Sequence, residues 1–247
     1  MGLASIVCGV KQRHFKTIFI SDVHLGTASA DVAGLLAFLK QFSCDKLYVV
    51  GDLIDFWELK RLQDLTREDR EIIKQLIRLQ KGGTTVVYIP GNHDDRLRKY
   101  AGRKFFGIRI KLNDKHVSKS GQKFLVIHGD EVDQFMRRGA MRRIAKFGST
   151  LYNALLWLNP AFATWSKHRA KRLMQRLSYY NRSLAKLIEV TRTDGVVCGH
   201  IHRPDLCQLQ GSPYLYANCG DWMQSNSAVF ELDDGTLTLQ RGLFKQK

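Results

Sequence analysis

Five short motifs in this chain contain the residue types that bind divalent metal ions. Each carries Asp, His or Asn, whose oxygen and nitrogen atoms suit manganese, iron or zinc. In chain order they are Asp22-Val23-His24, Gly51-Asp52, Gly91-Asn92-His93-Asp94, His128-Gly129-Asp130 and Gly199-His200-Ile201-His202. Each motif directly follows a run of strand-forming residues. This array is typical of a two-metal site that hydrolyses phosphoesters.

Seven side chains in these motifs are candidate metal ligands. They are Asp22, His24, Asp52, Asn92, His128, His200 and His202. Asp22 and His24 occupy alternate positions at the end of a predicted strand, so both could point to one side of it. Gly51 allows a sharp turn before Asp52, whose carboxylate could bridge two cations.

Each motif taken alone is weak evidence for a metal site, because Asp and Gly also serve turns. His200 and His202 are stronger evidence, since paired histidines at ligand spacing are uncommon in solvated loops. All five motifs follow predicted strands, and open α/β sheets bind their ligands at the carboxyl ends of strands. The set therefore favours an enzyme over a scaffold that has lost its metals, because every ligand position is filled.

The elements that must position these motifs show α/β patterning up to residue 130. Helical stretches are predicted around 31–42 and 65–81. Strands are predicted at 16–20, 47–50, 85–89, 124–127, 195–198, 214–216, 227–230 and 236–239. Asp233-Asp234-Gly235, between the last two strands, is a hairpin signal.

Residues 135–190 differ from their surroundings, because strand patterns vanish and apolar residues recur at helical spacing on both sides of Pro160. We predict a single domain over residues 1–247. Its core comprises 15–134 and 191–247, and 135–190 form a helical insertion, or lid.

The formal net charge of +16 is concentrated in this insertion. The segment from Arg137 to Arg192 contains thirteen basic residues and one acidic residue. A basic surface can indicate a nuclease or a nucleic-acid-binding protein, but no further nucleic-acid domain occurs and the charge is not interleaved with the motifs. A lid over acyl chains at an anionic membrane surface is favoured, and a helix pair with a solvated basic face is the alternative. Candidate substrate-binding residues in the lid are Trp157, Trp165, Arg169, Arg172 and Arg176.

Length and cysteine usage limit the remaining possibilities. A chain of 247 residues with 44% hydrophobic content can bury a full core. Its five cysteines are scattered and form no paired motif, which indicates a reduced, cytoplasmic compartment. Neither a secretory signal nor a membrane-spanning segment is recognisable. We expect a cytoplasmic protein, peripheral on the inner face of the cytoplasmic membrane.

Together the five motifs resemble the full signature of the calcineurin-like metallophosphoesterases. That resemblance implies an α/β (α+β) fold, in which two mixed sheets form a sandwich flanked by helices. It also implies two divalent ions bridged by Asp52, with the nucleophilic water between them. The first ion would bind Asp22, His24, Asp52 and His202. The second would bind Asp52, Asn92, His128 and His200. In the family pattern His93 is no ligand but a general acid or electrostatic stabiliser, with Asp94 as its orienting partner.

Longer segments resemble the bacterial UDP-2,3-diacylglucosamine pyrophosphatases, whose members also carry a helical insertion between the fourth and fifth motifs. The segments are 21–26, 52–57, 127–133, 198–202 and 218–222. This resemblance implies cleavage of UDP-diacylglucosamine to UMP and diacylglucosamine 1-phosphate in lipid A biosynthesis. It implies manganese, with zinc, iron or magnesium as other candidates. His93 replaces an arginine of the best characterised branch, so another nucleotide or lipid phosphodiester is the main alternative substrate.

Overall fold

The computed structural model describes residues 13–59, 61–132 and 178–244. Most of the predicted lid lies outside these ranges, and so do its five candidate substrate-binding residues. They are Trp157, Trp165, Arg169, Arg172 and Arg176. Their assignment stays a prediction. Across the described ranges, no helix combines the length and apolar character that crossing a bilayer requires.

The larger of two sheets has seven strands. In spatial order they are β12 (Leu237–Gln240), β11 (Ala228–Glu231), β1 (Arg13–Ile20), β2 (Phe42–Val50), β3 (Thr85–Ile89), β5 (Ile108–Ile110) and β4 (Lys104–Phe105). β1, β2 and β3 are parallel neighbours. Their last four residues are buried in every case, as expected of parallel strands that are covered on both faces. β11 and β12 form the hairpin predicted from Asp233-Asp234-Gly235.

The smaller sheet has five strands. In spatial order they are β6 (Asp114–Val117), β7 (Lys123–Val126), β8 (Gly195–Cys198), β10 (Leu215–Asn218) and β9 (Asp205–Gln208). β7, β8 and β10 are parallel, whereas the two edge strands are antiparallel to their neighbours. The sheet is therefore mixed, like the larger one.

Three α-helices lie in the described residues, α1 (Val32–Gln41), α2 (Arg67–Lys81) and α3 (Ser178–Thr191). Short 3-10 helices span Leu62–Asp64 and Asp95–Tyr100. α1 begins after Asp31, whose carboxylate accepts a hydrogen bond of 2.9 Å from the Gly34 amide. α2 begins with a capping box in which Thr66 and Asp69 each accept a hydrogen bond from the other's amide.

The two sheets pack face to face through apolar side chains such as Phe19 and Tyr48 from one sheet and Phe124 and Val197 from the other. Leu35 and Phe38 of α1 and Ile72 and Leu76 of α2 belong to a second buried cluster with the larger sheet. The described residues thus form the predicted α/β sandwich of two sheets flanked by helices.

α3 covers the smaller sheet. Tyr180, Leu184 and Ile188, at helical spacing, are buried against strand residues that include Val196. Residues 178–190 were assigned to the lid from sequence, but they pack on the core. Helical periodicity alone could not distinguish a lid helix from a core helix, because both bury one apolar stripe.

Glu231 joins the two sheets through buried polar contacts. Its Oε2 lies 2.7 Å from Nε2 of His116 on β6, and its Oε1 accepts a hydrogen bond of 2.7 Å from the Lys119 amide. Burial raises the pKa of Glu231, but hydrogen bonds from His116, Thr17 and Lys119 outweigh burial and hold it below the ordinary value of 4.5. Ionised Glu231 therefore stabilises the folded state above that pH.

Glu231→Gln is expected to lower the free energy of unfolding by about 1–3 kcal/mol at neutral pH, because it leaves buried donors without a charged acceptor. The difference from the unsubstituted protein should shrink as the pH falls through 4.5 towards the lowered pKa of the folded state. Urea denaturation at several pH values measures this. A difference that stays constant down to acidic pH would contradict the assignment.

Candidate metal centre

All seven predicted ligands lie in loops that follow parallel strands. Asp22 and His24 follow β1, Asp52 follows β2, Asn92 follows β3, His128 follows β7, and His200 and His202 follow β8. Backbone hydrogen bonds tie the first two loops together, because the amides of Asp22 and His24 donate to the carbonyls of Gly51 and Asp52 at 3.1 and 2.9 Å. The loops therefore meet at the carboxyl edge of the strands.

Five of these seven residues have a backbone φ in the left-handed region, which residues other than glycine rarely adopt. They are Asp22 (52°), His24 (55°), Asp52 (50°), His200 (71°) and His202 (53°). β1 ends at Ile20 and β8 at Cys198, so neither pair lies on a strand. Strand alternation was thus the wrong reason for the convergence of each pair. Left-handed turns aim these side chains inward.

The first group of donors surrounds Oδ1 of Asp22. Nε2 of His202 lies 3.2 Å from this oxygen, and Nε2 of His24 lies 3.8 Å from it. The same nitrogen of His24 lies 3.8 Å from Oδ2 of Asp52. Asp22 Oδ1 and His24 Nε2 are buried and make no hydrogen bond among the described residues. Buried polar atoms in this state require a partner, and a cation between them would supply it.

The second group of donors shares Oδ2 of Asp52 with the first. This oxygen lies 3.2 Å from Nε2 of His128, and Oδ1 of Asn92 lies 3.3 Å from the same nitrogen. The rings of His128 and His200 have centroids 5.1 Å apart. Oδ1 of Asp52 accepts a hydrogen bond of 2.8 Å from the His93 amide, which leaves Oδ2 between the two groups. Asp52 is therefore placed to bridge two ions.

Two of the candidate ligand histidines are oriented by hydrogen-bonding partners at their other ring nitrogen. Nδ1 of His24 lies 2.9 Å from Oδ2 of Asp55, and Nδ1 of His128 lies 3.1 Å from the carbonyl of Val50. These two partners fix the ring and the tautomer, so that Nε2 faces the centre. Nδ1 of His202 lies 3.8 Å from Oδ2 of Asp221, which is beyond hydrogen-bond distance. The role of Asp55 was not predicted from the sequence.

The centre carries buried negative charge. Burial raises the pKa of Asp22 and of Asp52, but the neighbouring histidines outweigh burial. His202 and His24 hold the pKa of Asp22 well below its usual range. His128 contributes most to lowering the pKa of Asp52, to about 2. Burial lowers the pKa of His24 and of His128, but the same carboxylates outweigh it and raise the pKa of His24 to about 9 and that of His128 well above its usual range. The histidines therefore supply the positive charge in the metal-free centre. Divalent ions would displace these protons and take over that charge.

Two glycines allow the donors to approach one another. A Cβ on Gly91 would lie 2.2 Å from Oδ1 of Asp52, and one on Gly51 would lie 1.9 Å from Nδ1 of His128. Gly51 also has a φ of 84°. Carboxylate, amide and imidazole donors suit manganese, iron, zinc or magnesium. The unpartnered buried atoms, the charge and the donor set therefore all fit divalent ions.

His93 lies beside the first group without facing it as a ligand. Its Nδ1 lies 2.8 Å from Oδ2 of Asp55, the oxygen that also contacts His24. The indole of Trp57 stacks on the His93 ring, with centroids 3.8 Å apart and planes at 27°. Burial raises the pKa of Asp55, but contacts with His24 and His93 outweigh it and hold that pKa well below the usual range. The ionised Asp55 thus connects His93 to the metal centre.

The prediction that Asp94 orients His93 is wrong. Asp94 is buried and accepts hydrogen bonds from the Tyr88 hydroxyl and from the amides of Gly91 and Leu53. Burial and the charge of Asp52 raise the pKa of Asp94 to about 6. Asp94 therefore stabilises the loop through these buried hydrogen bonds, and Asp55 is the carboxylate beside His93. Adjacency in the chain misled the assignment, because successive residues of this loop point apart.

Arg98 connects the third and fourth motifs. Its Nε and Nη2 both donate to the carbonyl of Pro90 at 3.3 Å, and Nη2 lies 2.5 Å from Oδ1 of Asp130. Pro90 and Asp130 each lie two residues from a ligand of the second group, Asn92 and His128. The Arg98 guanidinium therefore sets the spacing of the two loops that form this group.

Arg98→Gln is expected to weaken the second metal site by about 10–100-fold and to leave the first unchanged, because only the second group loses its support. Calorimetric titration of the metal-free protein with Mn²⁺ measures the two affinities. Arg96→Gln, an exposed arginine of the same 3-10 helix, is the matched control. Equal weakening of both sites by Arg98→Gln would contradict a selective role.

Comparison with known proteins gives relatives along nearly the whole chain. The UDP-2,3-diacylglucosamine hydrolase of Photorhabdus laumondii is 27% identical over 237 residues, which are 90% of this chain and 97% of that protein. The hydrolase of the same name from Enterobacter sp. is 26% identical over 91% of this chain and 98% of its own length. That of Nitrosococcus oceani is 28% identical, with 86% and 90% covered. The calcineurin-like phosphoesterase profile matches residues 15–204. The chain therefore belongs to the calcineurin-like phosphoesterase family.

Proposed function

We propose that this protein hydrolyses UDP-2,3-diacylglucosamine to UMP and 2,3-diacylglucosamine 1-phosphate, a reaction of lipid A biosynthesis, with two divalent ions, manganese foremost. The convergence of the ligand candidates on two groups that share Oδ2 of Asp52 carries this proposal. The names of the relatives, which align with at least 86% of this chain, support the choice of substrate.

Each ion has a defined set of candidate ligands. Asp22, His24, Asp52 and His202 would hold the first, and Asp52, Asn92, His128 and His200 the second. When bound, two such ions activate a water molecule and neutralise the oxygens of the phosphoryl group under attack. The protein contributes fixed donor positions, which the left-handed loops and the orienting partners of the imidazoles provide.

His93 is the group of this chain that is best placed to act on the substrate itself. Because its Nδ1 faces Asp55, its Nε2 is the ring nitrogen left for a substrate oxygen. There it can donate a proton to the leaving oxygen or a hydrogen bond to a phosphoryl oxygen. The Asp55 carboxylate contacts the ring at Nδ1, and the Trp57 indole covers one face of the ring.

A phosphodiester of another nucleotide or lipid is the second candidate substrate. His93 itself favours it, because a histidine at this position is the pattern of generic phosphoesterases. The same metal ligands and the same His93–Asp55 contact would serve either substrate. The two candidates therefore differ only in what binds around the phosphoryl group.

The test is product analysis after incubation with UDP-2,3-diacylglucosamine and Mn²⁺ in detergent micelles, with mass spectrometry of the products. Water labelled with oxygen-18 shows which phosphorus of the pyrophosphate is attacked. Bis(p-nitrophenyl) phosphate serves as a generic phosphodiester, and Asp52→Asn as the inactive control.

The outcomes separate the parts of the proposal. UMP release that depends on metal and on Asp52 supports it in full. Hydrolysis of the generic diester without UMP release would overturn the substrate and leave the hydrolase. Failure to hydrolyse either compound at any tested metal would overturn the phosphoesterase activity as well.

A further inference from the structure

The hairpin of β4 and β5 presents aromatic side chains to solvent at the edge of the larger sheet. Phe106, at its turn, is 73% exposed and Phe105 is 43% exposed. The Tyr100 ring packs edge-on against Phe105, with centroids 5.4 Å apart. Tyr100, Phe105 and Phe106, with the rest of the β4–β5 hairpin, form a surface that we name the Phe106 hairpin. Nothing in the metal centre requires it.

Phe106 occupies a turn position that a phenylalanine does not favour. Its φ is 51°, and that of the following Gly107 is 89°. Positive φ at two successive turn residues is the pattern of a type I′ hairpin, in which Asn-Gly is the preferred pair. A bulky side chain in this conformation is a genuine outlier. Local turn stability therefore does not explain the phenylalanine, and neither does core packing.

The surroundings of the Phe106 hairpin are strongly basic. Residues 96–111 contain seven basic residues and no acidic one. Four exposed cations lie within three residues of these aromatic side chains in sequence: Lys99, Arg103, Lys104 and Arg109. Lys99 and Arg103 also lie over the Tyr100 ring, at 5.1 and 6.0 Å from its centroid. A second copy of the chain at this edge would bring these like charges together, so the charge favours an anionic partner.

We propose that the Phe106 hairpin docks on an anionic phospholipid surface. Phe105 and Phe106 enter the interface between headgroups and acyl chains, and the four cations contact the lipid phosphates. Tyr100 lies at headgroup level, where aromatic rings with a polar tip are stable. Lipid fits better than an acidic protein, because exposed apolar rings surrounded by exposed cations need no defined partner shape. This surface is separate from the predicted lid and does not depend on which phosphoester is cleaved.

Phe106→Asn separates membrane docking from folding. Asparagine adopts positive φ readily and restores the preferred Asn-Gly turn, so the melting temperature should be kept or raised. Partition onto vesicles of mixed phosphatidylglycerol and phosphatidylcholine should fall by about tenfold, as expected for the loss of one buried phenylalanine. Lys104→Glu should reduce partition by about fivefold or more on these vesicles and have little effect on pure phosphatidylcholine.

Val190→Asn is the matched control, since Val190 is an equally exposed apolar residue, 72% accessible, on α3. β5 runs parallel to β3, so the turn lies at the amino end of these strands, away from the metal centre. All three variants should therefore hydrolyse a water-soluble phosphodiester at the unsubstituted rate. Unchanged partition of Phe106→Asn and Lys104→Glu would overturn the proposal, and so would an equal loss in Val190→Asn.

Discussion

Asp52→Asn is expected to reduce turnover by about 10³-fold or more, because an amide in place of this carboxylate weakens both metal sites at once. Oδ2 of Asp52 is the atom that both donor groups share, at 3.2 Å from His128 and 3.8 Å from His24. An amide keeps the size of the side chain but loses the negative charge that binds the ions. Turnover of a generic phosphodiester and metal content after gel filtration measure the two effects.

Asp45→Asn is the control for Asp52→Asn, because Asp45 is an exposed carboxylate that pairs with Lys16 and His14 at the surface. It should leave turnover and metal content unchanged. Melting curves of the metal-free proteins show whether either substitution affects the fold itself. If Asp52→Asn keeps its metal and its turnover, Asp52 does not bridge two ions and the site needs another assignment.

His93→Ala is expected to lower turnover by about 10²–10⁴-fold while metal content stays intact. The reason is geometric, since Nδ1 of His93 faces Asp55 at 2.8 Å and its ring is covered by Trp57 rather than by the ligand groups. Metal analysis of the purified variant and steady-state kinetics at saturating Mn²⁺ measure the two quantities separately.

Asp55→Asn distinguishes a positioning residue from a ligand. Its Oδ2 contacts both His24 and His93, so this variant should lose turnover and also bind the first metal about 10–100-fold more weakly. His93→Ala should show only the first effect. Loss of metal in His93→Ala to the same extent would make His93 a ligand, as part of the group of His24, Asp55 and His93 whose donor atoms lie within 4.8 Å of one another.

The parallel core of the fold could be predicted from sequence because its strands are buried on both faces. Runs such as 47–50 and 86–89 are continuously apolar and are followed by a glycine motif, which marks both their type and their carboxyl end. The short strands β4, β5, β6 and β9, which lie at or next to the sheet edges, are not predicted from the sequence. Their exposed residues alternate with few buried ones, so the pattern of one sequence does not distinguish them from loops.

The composition of the site was predictable, but its internal contacts were not. The seven ligand candidates could be chosen because each stands next to a strand end, and the structure places them in adjoining loops. That they bind metal stays a prediction. Asp55 lies three residues after Asp52, and its role is not predictable from the sequence. Nothing in the spacing shows that one carboxylate oxygen reaches both His24 and His93. Such contacts depend on two loops meeting in space. The sequence nevertheless contained one indication of such a partner, because Asp55 is a further carboxylate close to the second motif of a histidine-rich site.

The left-handed backbone at five predicted ligands means that the geometry of the candidate metal centre is obtained at a cost in folding stability. Each non-glycine residue held in that conformation costs about 1–3 kcal/mol, which the surrounding packing must offset. Replacement of these residues by glycine or asparagine, which adopt positive φ more readily, is expected to raise the free energy of unfolding and to remove the metal ligands. The arrangement of the candidate metal centre therefore lowers the stability of the fold at five positions.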